Sequence, residues 1–146
     1  MALICVNFFS TSLARTVPLN VVLPVDKQTE ALDAEAAGRV YEPHVPAGGF
    51  KTLYLLHGIF GNYTDWVSGT CIQRWAEERD LAVVMPSGDN MFYVDQPAAH
   101  DLYGRFIGEE LVALTRAMFP LSARREDTFI GGLSMGGYGA LRNGLR

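Results

Sequence analysis

Residues 128–139 read Thr128-Phe129-Ile130-Gly131-Gly132-Leu133-Ser134-Met135-Gly136-Gly137-Tyr138-Gly139. An apolar run passes without a loop into small residues, the pattern of a short strand turning sharply into a helix. Within it, Gly132-Leu133-Ser134-Met135-Gly136 matches G-x-S-x-G. In such a turn the serine occupies strained backbone, and a side chain at either flanking glycine would clash with the neighbouring strand or helix. The turn would lift the Ser134 hydroxyl over the carboxyl end of a sheet, which makes Ser134 the candidate nucleophile. The N–H of Met135, opening the helix, would face the same space and could stabilise developing negative charge. Because the chain carries 15 glycines, the motif counts only with this strand and helix around it.

Outward from the turn, strands alternate with helices. Residues 2 to 9 are a strand candidate, followed by a Ser-Thr-Ser turn at 10 to 12. A second strand is expected over Thr16 to Val25, and residues 26 to 50 read as a loop with one helical turn at Glu30 to Ala37. Lys51 to His57 is a continuous apolar run, as in a strand buried on both faces. Gly58 to Asp65 is a glycine-bearing loop, Cys71 to Arg79 has helical spacing, and Leu81 to Pro86 is another buried strand. After a turn-rich loop from Ser87 to Ala99, apolar residues from Leu102 to Met118 recur at three- and four-residue steps, and Pro120 closes the helix. Such alternation predicts an α/β fold with a mostly parallel sheet and helices on both faces.

Composition excludes several classes of function. The 146 residues suit one domain, and 49% of them are hydrophobic, which rules out a disordered or fibrous chain. With 12 basic against 16 acidic residues and a net charge of −4, nucleic acid is not an expected partner. The apolar start lacks a basic flank and falls short of the roughly 20 apolar residues a spanning helix needs. No membrane partner is expected. Cys5 and Cys71 read as free thiols of a reducing compartment, hence a cytoplasmic location. His44, His57 and His100 lack metal-ligand spacing, and Gly136-Gly137-Tyr138-Gly139 is no phosphate loop, so neither metal nor cofactor is expected.

The segment Leu55-Leu56-His57-Gly58-Ile59-Phe60-Gly61-Asn62 ends the first buried strand, and the loop after such a strand supplies a second oxyanion donor. Ile59, directly after His57-Gly58, is the expected donor. Together, YLLHGIFGNYTDW, LAVVMPSG, YGRFIGEEL and FIGGLSMGGYGAL resemble the esterase D-like branch of the α/β-hydrolases. That group includes tributyrin-type carboxylesterases, S-formylglutathione hydrolases, feruloyl and acetylxylan esterases, and mycolyl transferases. The resemblance implies Ser134 as nucleophile, with Met135 and Ile59 as backbone oxyanion donors. S-formylglutathione hydrolases usually carry histidines around the elbow, where this chain has Leu133 and Tyr138; the likeness is closer to the tributyrin and feruloyl esterase branch.

The departure from the family is large. A serine hydrolase needs a base for its hydroxyl and an acid to orient that base, following the serine in this fold in the order Asp or Glu, then His. The 12 residues after Ser134 contain none of these. The expectation is therefore the amino-terminal part of one α/β-hydrolase domain over 1–146, incomplete at its C-terminus. A second chain or C-terminal segment would supply Asp and His. An apolar sheet edge beside Thr128 to Gly132 should lie exposed, favouring association, self-association into a homo-oligomer included. The implied activity is cleavage of small carboxylic esters, or thioesters, through an acyl-serine; an acyltransferase and a non-enzymatic interaction module or decayed remnant are the alternatives. Asp65-Trp66 and Phe92-Tyr93 lie in loops where ligands bind; either pair could line an acyl or alcohol pocket or have a simple rim or core role, and Phe60, Trp66 and Tyr93 are the candidate pocket residues. Glu109-Glu110 reads as a solvated face.

Overall fold

The chain opens with β1 (Ala2–Ser10) and β2 (Arg15–Leu23), an antiparallel hairpin closed by residues 11–14. β2 stops before Pro24, which has no N–H for a ladder and starts a 3-10 turn instead, two residues short of the expected end. The computed structural model describes residues 1–27 and 42–146, so the helical turn expected at Glu30 to Ala37 lies outside the described residues. Next come β3 (Lys51–Leu56), α1 (Asp65–Gly69), α2 (Ile72–Glu78) and β4 (Leu81–Pro86). The loop after β4 holds a small ladder of β5 (Asp95–Gln96) and β6 (Asp101–Leu102), which the sequence reading did not anticipate. The long helix forms in three pieces: α3 (Tyr103–Arg105), a π-helical segment (Phe106–Glu110) and α4 (Leu111–Met118). β7 (Thr128–Gly132) and α5 (Met135–Gly144) complete the order.

The main sheet has the order β1-β2-β4-β3-β7. β3 pairs in parallel with β4 and with β7, whereas β1 with β2 and β2 with β4 are antiparallel. The expected mostly parallel sheet is therefore a mixed one over the described residues. A tight turn can only reverse the chain, whereas parallel neighbours need a crossover, supplied here by α1–α2 and by α3–α4. Helices cover both faces, as expected. Tyr54, Leu56 and Val84 pack with Phe106, Ile107, Leu111, Met135 and Ala140 on one side. Leu55, Val83 and Met85 pack with Ile72, Ala76 and Trp66 on the other. Alternate residues of β3 and β4 thus feed two cores, which is why these strands read as unbroken apolar runs.

β7 pairs only with β3 and leaves its other edge open among the described residues. Phe129 on this strand and Leu133, Leu141 and Leu145 nearby are all exposed, Leu145 by 84%. The expected apolar edge is present. Among the described residues no helix is long and apolar enough to cross a membrane.

Glu110 departs from the solvated face expected of it. Its carboxylate accepts from Ser10 Oγ at 2.7 Å, from Thr11 N–H at 2.7 Å and Oγ1 at 2.9 Å, and from Ser12 N–H at 3.1 Å. The π-helical turn presents Glu110 to the hairpin, while Glu109 stays exposed beside Arg105. Burial alone would raise the Glu110 pKa, but these donors outweigh it and bring it down to about 2. With the folded pKa below the ordinary 4.5, the stabilisation is complete above that value and is lost as pH falls from there towards 2. Glu110→Ala is expected to cost about 2 kcal/mol in urea unfolding at pH 7, and clearly less at pH 3. An equal loss at both pH values would refute a role for the charged carboxylate.

Candidate active site

Ser134 joins β7 to α5 with φ of 53° and ψ of −114°, a conformation that costs a non-glycine residue on the order of 1–3 kcal/mol. Packing around the turn holds it there. Leu133 N–H donates to the Leu56 carbonyl at 3.3 Å, Gly136 N–H to Leu133 at 2.8 Å and Tyr138 N–H to Ser134 at 3.0 Å. A Cβ on Gly132 would stand 2.4 Å from Gly136 C, and one on Gly136 would stand 2.3 Å from the Leu56 oxygen. Glycine is therefore required on both sides of the serine. Ser134 itself is exposed, and the Met135 side chain is buried beneath it, leaving the Met135 N–H at the first position of α5.

The loop after β3 comes against this turn. A Cβ on Gly58 would lie 3.7 Å from the Ser134 Cβ and 3.4 Å from the Leu133 oxygen. Gly61 N–H donates to the Gly58 carbonyl at 3.2 Å, closing a tight turn with Phe60 at φ +66°. His57 orders it. Its Nδ1 lies 2.6 Å from the Gly58 oxygen, and its Nε2 accepts the Gly88 N–H at 2.8 Å, so the ring is neutral with the proton on Nδ1. The Gly58 carbonyl and the Ile59 N–H share one planar peptide, so holding the carbonyl aims the N–H. Neither the Ile59 nor the Met135 N–H finds an acceptor among the described residues, which makes them the candidate pair of oxyanion donors beside Ser134.

Comparison with known proteins sets this arrangement in a family. Residues 29–146 match the esterase family model. The chain belongs to that esterase family. It is 44% identical over its whole length to an acetyl esterase of Caldicellulosiruptor saccharolyticus, of which it covers 52%. The substrate-bound fluorophosphonate-binding serine hydrolase F of Staphylococcus aureus superposes with a TM-score of 0.75 at 33% identity, over 94% of this chain and 49% of that one. The S-formylglutathione hydrolase FrmB of the same species gives 0.73 at 34% identity, with the same coverage of 94% and 49%. The fold is that of the α/β-hydrolases, and the chain spans about half the length of the relatives it matches.

No histidine of this chain stands beside Ser134. His57 is buried and both its nitrogens are occupied. His44 Nε2 is 2.8 Å from Asp80, which precedes β4, whereas Ser134 follows β7; the two strands point the same way through β3, so His44 lies at the opposite end of the sheet. His100 is exposed, with Nε2 3.4 Å from the Thr11 carbonyl in the β1–β2 turn. Among the described residues, Ser134 has no base within hydrogen-bond reach.

Of the expected pocket residues, Tyr93 belongs to the core and Trp66 is partly buried. Tyr93 is 0% exposed, its hydroxyl donates to the His57 carbonyl at 3.0 Å, and its ring fills the space over Gly139. Burial pushes its pKa up. Trp66, on α1 and only partly buried, packs against the core cluster that holds Ile72 and Ala76. Phe60, 85% exposed, and Phe92, half-exposed and edge-on to Tyr138 with centroids 6.2 Å apart, stay at the surface. Phe92 and Tyr93 both take positive φ in the turn closed by Val94 N–H on the Met91 carbonyl, which sends one ring outward and the next into the core. Strain at the elbow has a direct test. Ser134→Gly is expected to raise stability by about 1 kcal/mol, measured by urea unfolding; a loss would mean that the turn stores no strain.

Proposed function

We propose that this chain is the nucleophile-bearing part of a serine carboxylic ester hydrolase acting on small esters, thioesters included. Ser134 attacks the acyl carbonyl, and the resulting oxyanion accepts from the N–H groups of Ile59 and Met135. The observation that carries the reading is the strained, exposed Ser134 with the Gly58 turn packed against it. Family membership and the 44% identical acetyl esterase support it. The base and its orienting acid come from a segment outside these residues that seats against the open edge of β7. The exposed Phe129, Leu133, Leu141 and Leu145 supply the apolar surface it would cover. Cys5 and Cys71, both free and exposed, suit a reducing cytoplasm.

A fluorophosphonate and a chromogenic acetate ester test the reading. This chain alone is expected to form a slow adduct at Ser134, located by peptide mass spectrometry and lost in Ser134→Ala, with no steady turnover. Adding the carboxyl-terminal half of the related acetyl esterase as a separate polypeptide should accelerate labelling by at least about 100-fold. No adduct under either condition would overturn the proposal. Rapid turnover by the chain alone would overturn its assignment of the base to another segment.

A further inference from the structure

We infer that Asn90 is a positioning residue for the oxyanion turn, acting through Phe60 on the Ile59 N–H; this rests on the ester-hydrolase reading and extends it to a second loop. The Asn90 Oδ1 accepts the Phe60 N–H at 2.8 Å across 30 positions of sequence. Phe60 is a non-glycine residue held at φ +66°, and a left-handed conformation at that position of a four-residue turn requires one orientation of the Ile59–Phe60 peptide. Rotating that peptide would relieve the strain on Phe60 and withdraw its N–H from Asn90. The hydrogen bond therefore opposes the relaxation that strain favours. The neighbouring peptide carries the Ile59 N–H, clamped at its carbonyl by His57. Asn90 and His57 thus hold the two peptides that flank Ile59.

Asn90 can do this because its own loop is anchored on both sides. Tyr63 N–H donates to Ser87 Oγ at 3.0 Å, Gly88 N–H to His57 Nε2 at 2.8 Å, and Tyr93 OH to the His57 carbonyl at 3.0 Å. Met91 N–H donates to the Gly88 carbonyl at 3.2 Å, closing a turn around Asp89 and Asn90. Asp89 accepts from the Tyr103 hydroxyl, itself bonded to Arg15 Nη2 at 2.6 Å. The Asn90 amide is thereby fixed relative to β3 and to the helix side of the molecule. Since Asn90 is exposed, truncating it leaves no cavity.

The experiment compares the full chain with Asn90→Ala, which removes the acceptor, and Asn90→Asp, which keeps one. Two readouts are taken: amide chemical shift and hydrogen exchange at Ile59 and Phe60, and fluorophosphonate acylation of Ser134. In Asn90→Ala, exchange at both amides should speed up and the maximal acylation rate should fall about tenfold with reagent affinity unchanged. Asn90→Asp should restore both. An Ile59 amide that does not respond to Asn90→Ala overturns the inference, as does one that responds while acylation keeps its rate. Should the unaltered chain fail to label both alone and with the carboxyl-terminal half of the related acetyl esterase added, the ester-hydrolase reading falls by itself, and the Ile59 amide still decides whether Asn90 sets the turn.

Discussion

The backbone of α5 enters so close to the end of β3 that no side chain fits between them: a Cβ on Gly136 would stand 2.3 Å from the Leu56 oxygen and 2.7 Å from the His57 oxygen. This contact fixes the rest of the site. It forces β7 to turn within one residue, which leaves Ser134 at φ 53°, and it brings the residues after β3 beside that serine. The elbow and the oxyanion turn are two sides of one close approach between backbones. Strain on Ser134 is held by the sheet pairing of β3 with β7 and by burial of Met135 and Ala140 on the inner face of α5. A single strained residue, costing on the order of 1–3 kcal/mol, is tolerable against packing of that extent.

His57 links this contact to the opposite loop. Its carbonyl receives the Tyr93 hydroxyl, its Nε2 receives the Gly88 N–H, and its Nδ1 holds the Gly58 carbonyl. A buried imidazole bonded in this way needs one tautomer and no charge, since a second ring proton would face the Gly88 donor. The position after β3 therefore calls for a side chain that donates on one edge and accepts on the other. That requirement accounts for a histidine which takes no part as a base.

How far the sequence could be read follows from which interactions are local. The buried strands β3 and β4 and the elbow were legible because each is specified by neighbours along the chain: apolar runs for the strands, and glycines at fixed spacing for the turn. Pairing of β2 with β4 was not legible, since a hairpin and a long intervening loop carry no local sign of the strand they will meet. The same holds for Glu110, whose partners lie about 100 residues away, and for which of Phe92 and Tyr93 faces inward, which two left-handed residues in a turn decide. Asn90 gave no signal at all. An exposed asparagine in a turn is ordinary, and only the position of Phe60 makes it informative.

The nucleophile and both candidate oxyanion donors lie within the described residues, whereas the base does not. Such a division separates two contributions to catalysis that are distinct in kind. Stabilising the oxyanion depends on backbone N–H groups fixed by the fold and needs no proton transfer; activating the serine does. In serine proteases stripped of their triad, binding and the oxyanion hole alone leave about 10³–10⁴-fold acceleration over water. On the proposed reading, residues that hold Ile59, Met135 and Ser134 in place would therefore keep the electrostatic part of the mechanism. The acid–base part has no residue beside Ser134 among those described, and β7, which leads into Ser134, has an unpaired edge next to it.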